Sequence, residues 1–220
     1  MPRPVVRHMG RVDYAACFAA MQQWTDARTT DTPDELWFLE HDPVFTQGLA
    51  GKPEHVLDAG DIPIVQTDRG GQITYHGPGQ RVVYLLIDIQ RLSLSVRDLV
   101  TAIETALVSV LAQRGISAYA QPKAPGVYVG SAKIASLGLR LRRFRSYHGL
   151  SLNIDMDLTP FDRINPCGLV GQAMTQLSAH VGKVDQAALD NDLLAALLQA
   201  LGLPEPSQVT VQLGLTTIAP

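Results

Sequence analysis

The chain is organised around the stretch Asp68-Arg69-Gly70-Gly71-Gln72-Ile73-Thr74-Tyr75-His76-Gly77-Pro78-Gly79-Gln80, which the apolar run Val82-Val83-Tyr84-Leu85-Leu86-Ile87 follows almost at once. These thirteen residues hold four of the 18 glycines. Because glycine costs backbone entropy and has no side chain to bury, a packed core does not need this composition. The stretch therefore predicts a loop that lets the backbone approach a ligand closely, held against a rigid strand.

Apolar runs of strand length lie on both sides of this loop, at residues 36–40, 62–66, 81–89, 126–130, 133–141, 147–154 and 208–212. The run 81–89 is almost continuously apolar, which predicts a strand buried on both faces. Residues 133–141 and 147–154 are separated by a short polar stretch and predict an antiparallel hairpin. A single α+β domain over residues 1–220 is expected, with helices packed on a mixed sheet.

Three helices are predicted from apolar spacings of three and four. The first covers residues 13–30, with Asp13 as its N-cap and Cys17 on its apolar face, where a small buried side chain is expected. The second follows Ser95-Val96-Arg97-Asp98, which resembles a capping box, and ends at Gly115. The third covers residues 185–201. Residues 41–48 predict a loop, in which a structural role is expected for His41.

Composition narrows the class of protein. Hydrophobic residues make up 46% of the chain and charged residues 18%, so a folded core is expected. The formal net charge of −3 argues against general nucleic-acid binding. Two cysteines do not suggest a disulfide framework, and no apolar run reaches the roughly 18 residues of a membrane span. A cytoplasmic protein is predicted.

Lys133 begins the predicted strand 133–141. Side chains alternate along a strand, so Lys133 should share a face with Ala135, Leu137, Leu139 and Leu141. A lysine at the end of an apolar face loses hydration, which disfavours its charged form and suits it to proton transfer. Alternatively, its long stem reaches water. The strand alone leaves both interpretations open.

Cys167 lies in Asn165-Pro166-Cys167-Gly168, outside any periodic pattern. Proline fixes the approach and glycine leaves one side open, which suits an exposed nucleophile, although an inert loop thiol has the same pattern. CxxC pairs and HExxH are absent, so no metal site is expected. The glycine-rich stretch is neither GxxxxGK[ST] nor GxGxxG, which disfavours the familiar modes of nucleotide binding.

Four arginines lie within six residues, at Arg140, Arg142, Arg143 and Arg145. On an acidic chain they form a local basic patch. The patch is either a solvated hairpin tip or a docking site for an acidic carrier protein, where long-range attraction would speed association.

Several segments together resemble the bacterial octanoyltransferases, also called lipoyl(octanoyl) transferases. The resemblance covers about residues 5–201 in the family's order and spacing. It rests on residues 69–80 and on Ala124-Pro125-Gly126-Val127-Tyr128, Lys133-Ile134-Ala135-Ser136-Leu137-Gly138, His148-Gly149-Leu150 and Asn165-Pro166-Cys167-Gly168. It departs at Thr175-Gln176-Leu177, where many members have Thr-Ser-Leu.

The resemblance implies the fold of biotin and lipoate protein ligases, with a mixed, largely antiparallel sheet flanked by helices. It also implies a reaction. The family moves an octanoyl group from octanoyl-acyl carrier protein to a specific lysine of lipoyl domains, in E2 subunits of 2-oxoacid dehydrogenases or the glycine cleavage H protein. Neither ATP nor a metal is implied, and neither nucleic acid nor a membrane is an expected partner.

The resemblance also assigns roles to residues. Cys167 would be the nucleophile that carries the acyl group as a thioester, and Lys133 would stabilise its thiolate and move protons. The implied substrate-binding residues are Arg69, Gly70, Gly71, Gln72, Ile73, Thr74, Tyr75, His76, Ser136, Leu137, Gly138, Gly149, Leu150 and Ser151. Backbone N–H groups of Gly70-Gly71 or Gly168 are hypothetical oxyanion donors, and His76 is expected to line the site rather than act as a base.

Three other functions share these features. An ATP-dependent lipoate or biotin ligase would activate a free acid and would not need Cys167. A non-catalytic carrier-binding module would keep the pocket without the chemistry, and the presence of both Cys167 and Lys133 argues against it. A cysteine hydrolase would use water as the acyl acceptor.

Overall fold

The computed structural model describes residues 2–121, 124–168 and 171–211, apart from the side chains of Cys167 and Val211. Its helices are α1 (Tyr14–Ala27), α2 (Val96–Ala112), α3 (Ser178–Val181) and α4 (Gln186–Leu201). Its strands are β1 (Val5–Val12), β2 (Glu35–His41), β3 (Val44–Gln47), β4 (Ile64–Gln66), β5 (Ile73–His76), β6 (Gln80–Leu86), β7 (Tyr119–Ala120), β8 (Gly126–Val129), β9 (Ala132–Arg142), β10 (Arg145–Asn153) and β11 (Gln208–Val211).

Eight strands form the main sheet, in the order β11-β1-β2-β6-β10-β9-β8-β7. β1 runs parallel to both β2 and β11, and the other neighbours are antiparallel. A second sheet of three strands has the order β4-β3-β5. The sheet is therefore mixed and largely antiparallel, which confirms the predicted α+β class.

β6 occupies the centre of the main sheet, and all seven of its residues are buried. Val83 and Leu85 face a large core beneath α2 and α4, whereas Val82, Tyr84 and Leu86 face a second core beneath α1. Two cores, one on each side, explain why this strand lacks the alternation of a half-exposed strand. The prediction of burial on both faces is confirmed.

Capping residues start the three long helices, but α1 and α2 end earlier than predicted, and α2 ends at Ala112 rather than at Gly115. Asp13 and Asp185 accept hydrogen bonds from the first turns of α1 and α4. Ser95 and Asp98 form both bonds of a capping box at the start of α2. α1 ends at Ala27, three residues before the predicted end, and buried Arg28 turns away to pair with Asp34 at 2.6 Å. None of the described helices is long and apolar enough to cross a membrane.

Two predicted loops contain strands. β3 lies inside the predicted loop 41–48, and β5 lies inside the glycine-rich stretch 68–80. The two strands pair antiparallel, and all of their residues are buried. Both are four residues long and mix apolar with polar side chains. Periodicity does not detect these strands, because each is too short to show a pattern and they pair with residues that are distant in the sequence.

Ser95→Ala tests the capping box of α2. The loss of one side-chain acceptor should lower the free energy of unfolding by about 1 kcal/mol, measured by urea denaturation. Thr101→Ala is the matched control, because Thr101 is exposed in the same helix and alanine is the better helix former. If Ser95→Ala lowers the free energy of unfolding no more than the control does, the capping role is contradicted.

Candidate active site

A cleft lies between β5, with the loop that precedes it, and the strands β6, β9 and β10. Its volume is about 480 Å³, which includes the open solvent at its mouth. Most of the predicted substrate-binding residues line it: Arg69, Gly71, Gln72, Ile73, Thr74, His76, Ser136, Leu137, Gly138, Gly149, Leu150 and Ser151. Segments that are distant in sequence thus converge on one cavity. Sequence reasoning did not assign four further lining residues to the site, namely Tyr14, Val82, Tyr84 and His148.

Two predicted residues lie beside this cleft rather than in its lining. Tyr75 packs against Phe45 and Phe161, with ring centroids 5.6 and 5.5 Å away. Gly70 lines an adjoining apolar groove, which extends to Val96 and Val100 of α2 and shares Gly71 and Gly138 with the cleft. The glycine-rich stretch therefore lines two adjoining spaces.

The floor of the cleft is made of small residues at matching positions of neighbouring strands. Ser136 pairs with Ser151, and Gly138 pairs with Gly149, which in turn pairs with Tyr84 of β6. Gly149 has no room for a side chain, because an added Cβ would lie 2.1 Å from the Val83 carbonyl oxygen. A Cβ added to Gly138 would lie 2.9 Å from the Arg69 Cδ of the opposite wall, so glycine at that position keeps the cleft open.

Arg69 stiffens the opposite wall. Its guanidinium is mostly buried, donates to the Thr46 hydroxyl at 2.9 Å and donates to the Gly70 carbonyl at 3.0 Å. Gly70 N–H donates to the Leu139 carbonyl at 2.8 Å. The wall is therefore bonded to β3 on one side and to β9 on the other.

These bonds narrow the choice of an oxyanion donor. Gly70 N–H is already committed to Leu139, and Gly168 N–H donates to the Asn165 carbonyl at 2.9 Å. Neither N–H group is therefore available to donate to an oxyanion in the way that the sequence had suggested. Gly71 remains the candidate of the three, and it lines the cleft.

The predicted face of Lys133 is wrong, because β9 contains a bulge. Val127 pairs with Ala135, whereas the next residue, Tyr128, pairs with Lys133. Ile134 is therefore an extra residue, and both Ile134 and Ala135 enter the large core. The bulge shifts the alternation of side chains by one residue before Ala135. The Lys133 side chain therefore lies on the face opposite to that of Ala135.

Lys133 instead shares its face with Ser136, which lines the cleft. Gly126 lies opposite Ser136, and a Cβ added to Gly126 would lie 2.3 Å from the Lys133 Cε. The Lys133 side chain is 1% exposed, and its Nζ lies 5.4 Å from the centroid of the Tyr128 ring. The alternative in which Lys133 reaches water is therefore also wrong.

The Asn165–Gly168 segment approaches the same wall from outside. Pro166–Gly168 forms a short 3-10 helix that contacts β5. A Cβ added to Gly168 would lie 2.4 Å from the side-chain amide of Gln72, which lines the cleft. The side chain of Cys167 lies outside the described residues, so its pairing with Lys133 stays a prediction.

The segment that departs from the family pattern has a structural role. Thr175 N–H donates to the Lys133 carbonyl at 2.9 Å, and the Gln176 side-chain oxygen accepts from Met156 N–H at 2.7 Å. Leu177 is fully buried in the large core. The Gln176 side chain thus holds the segment that is hydrogen-bonded to Lys133 against Met156.

His41 and His76 belong to a cluster of rings at one end of the cleft. His41 is a fully buried residue at the end of β2 rather than a loop residue, with its nitrogens 2.8 Å from the Val12 carbonyl and 2.6 Å from the Tyr84 hydroxyl. His76 Nδ1 lies 2.6 Å from the Gln80 side-chain oxygen. Burial lowers the pKa of His41 to about 4 and that of His76 to about 3. Both rings are neutral at pH 7, which favours lining over proton transfer by His76.

Asp68 anchors the same end of the cleft. It accepts hydrogen bonds from His148 Nε2 at 2.9 Å, from Gln22 at 3.1 Å and from the Tyr147 hydroxyl. Burial raises the pKa of Asp68, but these donors outweigh that effect and hold it at about 2. Burial also lowers the pKa of His148, although its bond to Asp68 opposes the shift. The network joins the loop, α1 and β10.

Among the described residues, no group of three histidines, cysteines, aspartates or glutamates could hold a metal ion.

Comparison with solved structures defines the structural class. A lipoate-protein ligase A bound with ATP superimposes with a TM-score of 0.77 at 14% identity, over 96% of this chain and 90% of that one. Biotin protein ligase from Aquifex aeolicus superimposes with a TM-score of 0.56 at 13% identity, over 92% and 70%. At such identities the likeness shows the fold alone, which is that of the lipoate and biotin protein ligases.

Sequence comparison is more specific. Residues 13–200 match the lipoyl protein ligase A/B catalytic domain. An octanoyltransferase of Aeromonas hydrophila is 56% identical over 210 residues, which are 91% of this chain and 90% of that one. One of Azotobacter vinelandii is 57% identical over 206 residues, or 93% and 94%. The chain belongs to the octanoyltransferase family, and it is an acyltransferase.

The buried histidines predict a loss of stability in mild acid. An unfolded histidine binds a proton below about pH 6.5, whereas His41 and His76 bind one in the folded state only near pH 4 and pH 3. Between these limits the unfolded state holds more protons, so the free energy of unfolding should fall as pH falls. Urea denaturation at pH 7, 6 and 5 should show a slope of up to about 1.4 kcal/mol per pH unit for each histidine.

His76→Asn should reduce this slope by about one proton, while His41 and His148, whose pKa values burial also lowers, continue to contribute. Equal stability of the unmodified protein at pH 7 and pH 5 would contradict the burial of neutral histidines.

Proposed function

We propose that the protein transfers an octanoyl group from octanoyl-acyl carrier protein to a specific lysine of lipoyl domains, through a thioester on Cys167. The acceptors are lipoyl domains of E2 subunits and the glycine cleavage H protein, and the role is protein lipoylation in the cytoplasm. The whole chain, residues 1–220, acts as one catalytic domain, without ATP or a metal.

One observation carries this proposal. The buried Lys133 shares a face of β9 with Ser136 and Gly138, which line a cleft of small and apolar residues. Such a cleft suits an uncharged acyl chain, and a buried amine beside it suits proton transfer. The identity to named octanoyltransferases, at 56–57% over nine-tenths of the chain, supports the octanoyl group as the cargo.

The energetics of the two steps explain why no ATP is needed. In the first step the Cys167 thiolate attacks the carrier thioester, and the carrier thiol leaves as the new carbon–sulfur bond forms. One thioester replaces another, so the step is nearly balanced. In the second step the acceptor amine attacks, a carbon–nitrogen bond forms and the bond to Cys167 breaks. An amide replaces a thioester, which is downhill.

Lys133 would serve both steps. Its ammonium group stabilises the thiolate before the first attack, because the thiolate is the reactive form. As the carrier leaves, the Lys133 ammonium gives its proton to the departing carrier thiolate, and the neutral amine that results accepts a proton from the incoming lysine amine as the amide forms. Each step passes through a tetrahedral oxyanion, and a fixed donor such as Gly71 N–H contributes roughly 3 kcal/mol when it is aimed at that oxygen.

The rival functions differ in what they consume and release. A ligase needs ATP and free octanoate, whereas transfer from the carrier should proceed when ATP is omitted. A hydrolase releases free octanoate in the presence of a lipoyl domain. The likeness to a lipoate-protein ligase bound with ATP concerns the fold alone. Modification of a lipoyl domain by free octanoate and ATP, without the carrier, would favour the ligase.

The covalent step has a direct test. Intact-mass spectrometry of the protein mixed with octanoyl carrier should show one octanoyl adduct, which Cys167→Ala lacks. Cys17→Ala is the matched control and should keep the adduct, because Cys17 is fully buried in the core beneath α1. Cys167→Ser and Lys133→Ala should each abolish transfer. A normal level of stable adduct on Cys167→Ala would refute the nucleophile assignment.

The arginine patch predicts an electrostatic effect on carrier binding. Arg142 bonds Asp26 at 2.6 Å and Arg145 donates to the Arg28 carbonyl, while Arg143 and Phe144 are exposed at the tip of the hairpin. Charge reversal at Arg142 and Arg143 should raise the apparent KM for a carrier about three- to tenfold at low salt, and less at high salt.

Lys183→Glu, which reverses an exposed charge elsewhere, is the control for net charge. If the KM for both carriers stays unchanged in the arginine variant, the patch does not dock either of them.

A further inference from the structure

His148 combines features that packing alone does not require. Its φ is +59°, a left-handed conformation in the interior of β10 that few residues other than glycine adopt. The residue is 1% exposed and lines the cleft. Its Nδ1 is buried and has no hydrogen-bond partner among the described residues. A strained residue with an unpaired buried nitrogen at a cavity indicates a ligand contact.

The hydrogen-bond network fixes which nitrogen carries the proton. Asp68 is ionised and can only accept, so His148 Nε2 carries the hydrogen that it donates to Asp68 at 2.9 Å. In the neutral ring, Nδ1 is therefore a bare acceptor. It needs a donor from the cavity, because a buried acceptor without one is costly.

His148 lies at the end of the cleft that is remote from Lys133. Along the strands, Lys133 comes before the Ser136–Ser151 pair, which comes before the Gly138–Gly149 pair, and His148 lies one residue beyond. The ring contacts Tyr84 and Phe18, at centroid distances of 6.1 and 5.2 Å, and Tyr14, whose ring lies 6.2 Å from that of Phe18, also lines the cleft. An acyl chain whose carbonyl lies beside Lys133 thus extends towards His148.

We infer that His148 Nδ1 sets the length and the terminal chemistry of the acyl group. With an octanoyl chain bound, Nδ1 accepts a hydrogen bond from a water at that end of the cleft. A ninth carbon expels that water and leaves Nδ1 unpaired, whereas a hydroxyl at the same position donates to Nδ1 in place of the water. The site therefore admits ω-hydroxyacyl groups as a further substrate class. This inference rests on the proposed function for the direction of the chain.

Nonanoyl and 8-hydroxyoctanoyl groups provide a matched comparison, because they have equal length and differ only in a terminal methyl or hydroxyl. Their transfer from the carrier to a lipoyl domain is measured as kcat/KM, beside that of octanoyl. The protein should prefer 8-hydroxyoctanoyl over nonanoyl roughly 10- to 100-fold, since a site built for a hydrogen bond rejects the analogue that lacks it.

His148→Phe keeps a ring and removes the acceptor. It should abolish or reverse this preference and raise the rate for nonanoyl relative to octanoyl. His8→Phe is the control for the same substitution away from the cleft, since His8 lies on β1, and it should keep the preference. If phenylalanine at φ +59° prevents folding, His148→Gly removes the same acceptor at a backbone conformation that glycine adopts freely, and it should lose the preference in the same way.

The outcomes separate the two proposals. Equal rates for nonanoyl and 8-hydroxyoctanoyl, with normal octanoyl transfer, overturn the role of His148 alone. A hydroxyl preference that persists in His148→Phe also overturns it and assigns the contact to Tyr14 or Tyr84. Absence of octanoyl transfer overturns both this inference and the proposed function.

Discussion

Burial of β6 on both faces is the constraint on which the rest of the structure depends. The strand separates a large core beneath α2 and α4 from a smaller one beneath α1, and it pairs with β2 on one side and β10 on the other. A core on each face and a strand at each edge hold β6 in place. β10 and β9 are therefore paired next to a rigid strand. The small residues that form the floor of the cleft therefore occupy defined positions.

Several polar groups around the cleft bind one another. Arg69 binds Thr46, His76 binds Gln80, and Asp68 gathers donors from α1 and β10. These hydrogen bonds keep the walls from collapsing into an empty apolar space, although the buried His148 Nδ1 and Gln72 Oε1 have no partner among the described residues. The cleft is thus maintained by hydrogen bonds around it rather than by the ligand.

The sequence predicted the features that local chemistry determines. The strand β6, the N-caps of α1 and α2 and the β9–β10 hairpin each follow from neighbouring residues, and the motifs predicted most of the cleft lining. β3 and β5 escaped prediction because their short, polar sequences are stabilised by pairing with each other. The face of Lys133 depends on one extra residue in β9, which the alternation rule does not include. The partnership of Asp68 and His148 joins residues 80 positions apart, so no local pattern shows it.

The parallel pairing of β1 with β11 has a consequence for the order of folding. Val5 aligns with Gln208, so this edge of the sheet closes only after almost the whole chain is available. The β9–β10 hairpin, in contrast, closes across a turn of two residues, Arg143 and Phe144. Contacts of such different sequence separation form at different rates. On the ribosome, the strands that form the floor of the cleft would therefore pair before β1 pairs with β11.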